Sequence, residues 1–191
     1  MINTKDQVTI INFVAGITDK TASLLMFLLT EQLRSGVSNF RINISSTGGM
    51  VFHAVSVFNF LNGLRNVHLH THNLGQIDSG ANLIFLAGQE RTASKSSSFL
   101  LHQPELTIQG QGANFSIDFL KERIESLEKD EAKMAEIIAD KIGKTQQEVL
   151  QMFKSRKTYS SSEAKDLKFI TQIEEFVAEP GMPIFTITNQ A

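Results

Sequence analysis

The chain has 191 residues, a formal net charge of −2, no cysteine, and 41% hydrophobic against 20% charged residues. That balance predicts one globular domain over 1–191 with a sizeable core. It excludes disulfide and thiolate chemistry and carries no basic footprint for nucleic acid or an anionic membrane. No apolar run reaches the roughly 18 residues of a membrane span, and Met1-Ile-Asn-Thr-Lys-Asp-Gln7 lacks the basic-then-apolar order of a secretory signal, so a cytoplasmic protein is expected.

Val8 to Val14 is β-branched and apolar, a strand ended by Gly16. Thr18 or Asp19 can cap a helix whose buried stripe is Ala22, Leu25, Met26, Leu28, Leu29 and Leu33, with Gly36 placed as its terminating glycine. Phe40 to Ile44 alternates as a second strand. Ser45 to Gly49 is a tight loop and Met50 to Leu64 a second helix. Val67 to Leu74 predicts a third strand, Gly75 to Ser79 a second glycine-bearing loop, and Ala81 to Leu86 a third helix. Strand and helix alternating three times, with short connections, imply parallel strands and right-handed crossovers, an α/β fold. The loops at Ser45–Gly49 and Gly75–Ser79 then share the carboxyl edge of the sheet, where sites form in such folds.

Further along, Arg91–Ser94 and Phe99–His102 read as short strands, Leu106 to Gly112 as an extended arm, and Phe115 to Ile142 as one long helix. That helix is too long for a crossover and is expected to project in part toward a partner chain. Gly143 stops it. Thr145 and Glu148 form a capping box for a short helix through Met152. A last helical turn at Ser161–Leu167 and a closing strand at Phe169–Ile173 complete the series.

Ser79 stands at a strand-to-helix switch, where free backbone N–H groups can stabilise an oxyanion or take the hydroxyl as a cap. His102, at a strand end before Gln103-Pro104, is the first candidate base for it. Gly48 and Gly49 can present a backbone N–H to the same pocket, but no phosphate-loop spacing accompanies them. His68, His70 and His72 alternate along one strand face. Three imidazoles there could hold zinc, yet no carboxylate lies nearby in sequence, so a polar strand face or packing surface is expected and no metal is assigned. His53 reads as a helix-surface or interface residue.

Four blocks in this order are similar to the proteolytic-subunit family of the Clp protease. They are Asn43-Ile-Ser-Ser-Thr-Gly48-Gly49, Gly75-Gln-Ile-Asp-Ser79-Gly80-Ala81, Leu101-His102-Gln103-Pro104 and Gln109-Gly-Gln-Gly112, and the likeness runs from Val8 to about Ile173. The resemblance implies a crotonase-like α/β unit with the 115–142 helix as a protruding handle. It implies Ser79 as nucleophile, His102 as general base, and Gly49 and Gly80 as the oxyanion-hole amides of a serine endopeptidase that needs no cofactor. It also implies that the Leu106–Gly112 arm pairs with an extended peptide or unfolded-protein substrate and helps join homo-oligomeric rings. The family's third triad member, an aspartate, falls at about Arg156, so the acid that supports the imidazolium is missing, and Glu105, Asp118, Glu163 and Asp166 could substitute only if the fold brings one to His102. The short N-terminal segment also departs from the family pattern that serves an unfoldase ATPase partner. The alternatives are a degenerate subunit with a structural or regulatory role, and an acyl-CoA enzyme of the crotonase type.

Overall fold

Three parallel strands, β1 (Val8–Val14), β2 (Asn39–Ser46) and β3 (His68–Asp78), form the centre of the computed structural model, which describes residues 8–106 and 115–190. Helix α1 (Asp19–Arg34) crosses from β1 to β2, and α2 (Val51–Gly63) from β2 to β3. Adjacent parallel strands joined by right-handed crossovers put both helices on one face. There Leu25, Leu29, Val57 and Leu61 are buried with Ile42, Ile44 and Leu69 in one continuous core. Thr18 caps α1 in a reciprocal box with Thr21, and Gly36, at φ 87°, follows its C-cap.

Strand β3 runs four residues past the expected end at Leu74. Gly75 does not break it. It sits where β3 exchanges one partner for another, from β4 (Glu90–Ala93) at His70–Asn73 to β5 (Ser98–Leu100) at Gln76–Asp78. Asn73 spans the exchange, its Oδ1 accepting the Gly75 N–H at 2.9 Å and its Nδ2 donating to Ser98 O at 2.8 Å. Helix α3 (Ala81–Leu86) follows and is buried at every position.

Helix α4 (Ile117–Ile142) starts two residues later than expected and ends at Gly143 in the left-handed conformation. Its buried residues, Met134, Ala135, Ile138, Ala139 and Ile142, all lie in its second half. Ile117, Leu120 and Ile124 in the first half stay exposed. Helix α5 (Gln146–Ser155) carries the anticipated Thr145–Glu148 capping box and runs three residues beyond Met152. Strand β6 (Thr158–Ser160) pairs antiparallel with β5, and α6 (Ser161–Asp166) follows.

Two strand readings are corrected. The closing strand at Phe169–Ile173 shrinks to β7 (Gln172–Ile173), because Phe169 and Ile170 are core plugs ahead of it. A further strand, β8 (Ile184–Thr188), pairs parallel with β1 at the opposite edge. Its alternation was readable, but its partner lies far away in sequence. The described residues form an eight-stranded sheet whose main path is β6-β5-β3-β2-β1-β8, with β4 and β7 branching from β3. Most of the arm expected at Leu106–Gly112 lies outside the described residues. No described helix is long and apolar enough to cross a membrane.

Candidate active site

The β2–α2 and β3–α3 loops do meet at one edge. Ile17 bridges to Gly49 as a one-residue parallel ladder, its N–H donating to Gly48 O at 2.7 Å and its carbonyl accepting the Met50 N–H at 3.1 Å. This leaves the Gly49 N–H, like that of Gly80, without an acceptor among the described residues. Glycine is required at both loop positions. A Cβ at Gly48 (φ 84°) would stand 2.7 Å from the Asp78 carbonyl and the Ser79 Cβ, and one at Gly49 (φ 147°) 2.3 Å from the Ile17 carbonyl.

Ser79 is nearly buried and adopts φ 52°, a left-handed conformation that a serine holds only under constraint. The constraint is visible. The Ser79 N–H donates to Leu100 O at 3.0 Å, and Asn82 donates to the Ser79 carbonyl from its backbone N–H (3.1 Å) and from Nδ2 (2.9 Å). Asn82 Nδ2 also reaches Leu100 O at 3.0 Å, tying the turn to β5. Asn82 was not singled out from sequence. Its signal is an amide three residues past the serine, at the first turn of a helix with no side-chain cap.

His102, two residues past β5, lines the same cavity of about 750 Å³ as Ser79 and Gly49, with Phe52, Leu127 and Arg123 on its walls. The two side chains make no direct hydrogen bond in this arrangement. The His102 Nδ1–H donates to the Gln103 carbonyl at 2.7 Å, which leaves Nε2 as the ring's proton acceptor. A main-chain carbonyl thus sets the tautomer that an acid sets in a full triad.

No carboxylate hydrogen-bonds the His102 ring among the described residues. Register explains the place of Arg156. Leu100 pairs with Thr158, so continuing the antiparallel ladder by two residues brings Arg156 alongside His102. Arg156, in a left-handed turn after α5, forms an ion pair with Glu105, which holds the Glu105 carboxyl below its usual range. Glu163 is spent on the Ser160 cap and on Lys157 at 2.7 Å. Asp118 and Asp166 sit in the first turn of α4 and at the end of α6.

The histidine triplet sits elsewhere, toward the amino end of β3, and the fold supplies the carboxylate its sequence surroundings lacked. His70, His72 and Glu174 place ligand-type atoms within 4.8 Å of one another. Their centre is already filled by Thr92. Its hydroxyl donates to Glu174 Oε1 at 3.2 Å and accepts from His70 Nε2–H (2.7 Å) and His72 Nδ1–H (2.8 Å), while His72 Nε2 accepts from Ser94 at 3.2 Å. Arg41 Nη2 takes the same Glu174 oxygen at 3.2 Å. These residues could hold a cation only if Thr92 turned away and Arg41 withdrew. His68 stands apart, exposed, 3.6 Å from Glu90. His53 packs edge-on against Phe52 on α2.

Burial, then the Arg41 and His70 charges, holds the His72 ring down at about 4 from an ordinary 6.5. The unfolded chain therefore takes up this proton at higher pH than the folded one. Folding stability is fully present above pH 6.5 and falls as pH drops from 6.5 toward 4, by on the order of 3 kcal/mol from this ring alone. Urea midpoints measured across that window should fall for the wild type and flatten in His72→Gln.

A comparison with known families places these observations. The Clp protease family model matches residues 2–176.

Proposed function

Because the chain belongs to the Clp protease family, we propose that it is a serine-type peptidase whose nucleophile is Ser79. In this reading Ser79 Oγ attacks a peptide carbonyl as His102 Nε2 accepts its proton. The Gly49 and Gly80 N–H groups hold the oxyanion, His102 returns the proton to the departing amine, and water deacylates Ser79 by the reverse relay. The observation that carries it is the convergence on one cavity of a strained serine, a histidine in the acceptor tautomer and the Gly49 amide left free beside the Ile17 bridge. Unfolded polypeptide is the proposed substrate class. The exposed apolar stripe of α4, Ile117, Leu120 and Ile124, is the proposed self-association surface of a ring.

A fluorophosphonate probe should label the wild type on Ser79, mapped by peptide mass, and spare Ser79→Ala. Absence of labelling in a folded wild type sinks the proposal. One observation favours a second reading, the degenerate subunit. Arg156, a cation tied to Glu105, stands where the family acid would. Ring assembly by light scattering without cleavage of fluorogenic peptides would select it.

A further inference from the structure

Asp78, the residue before the serine, is an anomaly. Its side chain is buried, with the residue only 6% exposed, and its Oδ1 has no hydrogen-bond partner. Only Oδ2 is met, by the Gln76 amide from the same strand face. A buried, half-satisfied carboxylate is costly and calls for a cation to face it.

The sheet supplies one. Asp78 pairs with Leu100, the last residue of β5, and His102 follows that pair by two residues, near enough for its charge to act on the Asp78 carboxyl. We propose that Asp78 is a positioning residue. Its carboxylate is the anion that stabilises the charged form of His102, in the role left open by the arginine at 156.

The electrostatics of the site agree. Burial raises the Asp78 carboxyl, while the Gln76 bond, the His102 ring and the Leu100 backbone pull it back. The other charged groups around the ring are more exposed than Asp78, and most stand beside an opposite charge. Glu105 is neutralised by Arg156, Arg123 and Asp130 both line the cavity, and Glu131 accepts the Gln103 amide at 2.9 Å. Among the described charged groups around the ring, Asp78 is the buried one. It supports the ring through space, since Nδ1 remains on the Gln103 carbonyl.

This inference rests on the peptidase reading for its consequence in catalysis, but its test does not. The imidazole carbon-bound proton of His102, assigned with His102→Gln, is titrated by NMR in the wild type, Asp78→Asn and Glu105→Gln. Asp78→Asn should lower the His102 midpoint, because an anion facing the charged ring is lost, and Glu105→Gln should move it less. An unmoved midpoint in Asp78→Asn, or a larger fall in Glu105→Gln, overturns the proposal. If Asp78→Asn does not fold, the reciprocal measurement serves. The wild-type Asp78 carboxyl should titrate lower than in His102→Gln, and equal midpoints refute the coupling. Where the wild type cleaves peptide, the acid limb of kcat/KM in Asp78→Asn should move to lower pH with a three- to tenfold lower plateau. A fall in rate with the limb unmoved marks a merely structural role and also overturns the proposal. Absent fluorophosphonate labelling in a wild type whose His102 midpoint does respond to Asp78 would instead count against the peptidase reading alone.

Discussion

Replacing Ser79 by glycine should abolish peptide hydrolysis and leave the protein more stable. The backbone at Ser79 has φ 52°, a conformation that costs an L-residue roughly 1–2 kcal/mol and glycine almost nothing. Glycine's extra freedom in the unfolded chain takes back about 0.5–1 kcal/mol. The net gain is about 0.5–1 kcal/mol, or a rise of a few degrees in Tm for a chain of this size. The Asn82 and Leu100 bonds that hold the turn are to main-chain atoms of Ser79 and survive the change. Hydrolysis should fall by about 10⁴-fold or more, as in other enzymes that lose a serine nucleophile. Calorimetry and a fluorogenic peptide assay on one sample read both. Ser79→Ala should lose the activity without the gain in Tm, because alanine keeps the strained Cβ. A Ser79→Gly protein less stable than Ser79→Ala would show that the turn is not strained.

The second large effect is expected at Gly49. In Gly49→Ala the new Cβ stands 2.3 Å from the Ile17 carbonyl and 2.8 Å from its nitrogen, at φ 147°. Backbone rather than a flexible side chain must move, so the Ile17 bridge opens and the Gly49 N–H leaves its place. Loss of one oxyanion donor costs about 10²–10³-fold in kcat, with KM nearly unchanged because the donor acts on the transition state. Gly80→Ala is the control. Gly80 has φ −57° and its Cβ would meet the Ala54 Cβ at 3.2 Å, a contact relieved by a small shift, so the amide stays and activity should hold within about tenfold. Equal losses in both variants would remove Gly49 from the proposed oxyanion site.

The alternation of strands and helices through Leu86 was legible because each element is set by local pattern. So was the meeting of the turns at Thr47–Gly49 and Ser79–Gly80 on one sheet edge, since parallel topology leaves no other place for them, although both strands run further into the expected loops. The continuation of β3 across Gly75 was not legible. A glycine inside a strand reads as a break unless the exchange of partners from β4 to β5 is known. Pairing of β8 with β1 is a tertiary fact with no local trace. The same holds for the Thr92 hydroxyl of β4 that gathers two histidines of β3 and Glu174 just past β7, and for the Arg156–Glu105 pair. Asp78 was in plain view beside Ser79, but its meaning depends on burial and on the β5 register.

The pairing of β1 with β8 also sets an order of events during synthesis. Asn12 meets Thr186 across 174 positions, and the Asn189 side chain accepts the Gly16 N–H at 2.8 Å, one residue from the Ile17 that anchors Gly49. At ribosomal rates of about 5–20 residues per second, the outer edge of β1 waits roughly ten to thirty seconds for its partner. In that interval an exposed strand edge is open to wrong pairings, and the loop carrying Gly49 lacks its final tether. The loop that carries Gly49 is therefore among the last parts of the molecule to become rigid.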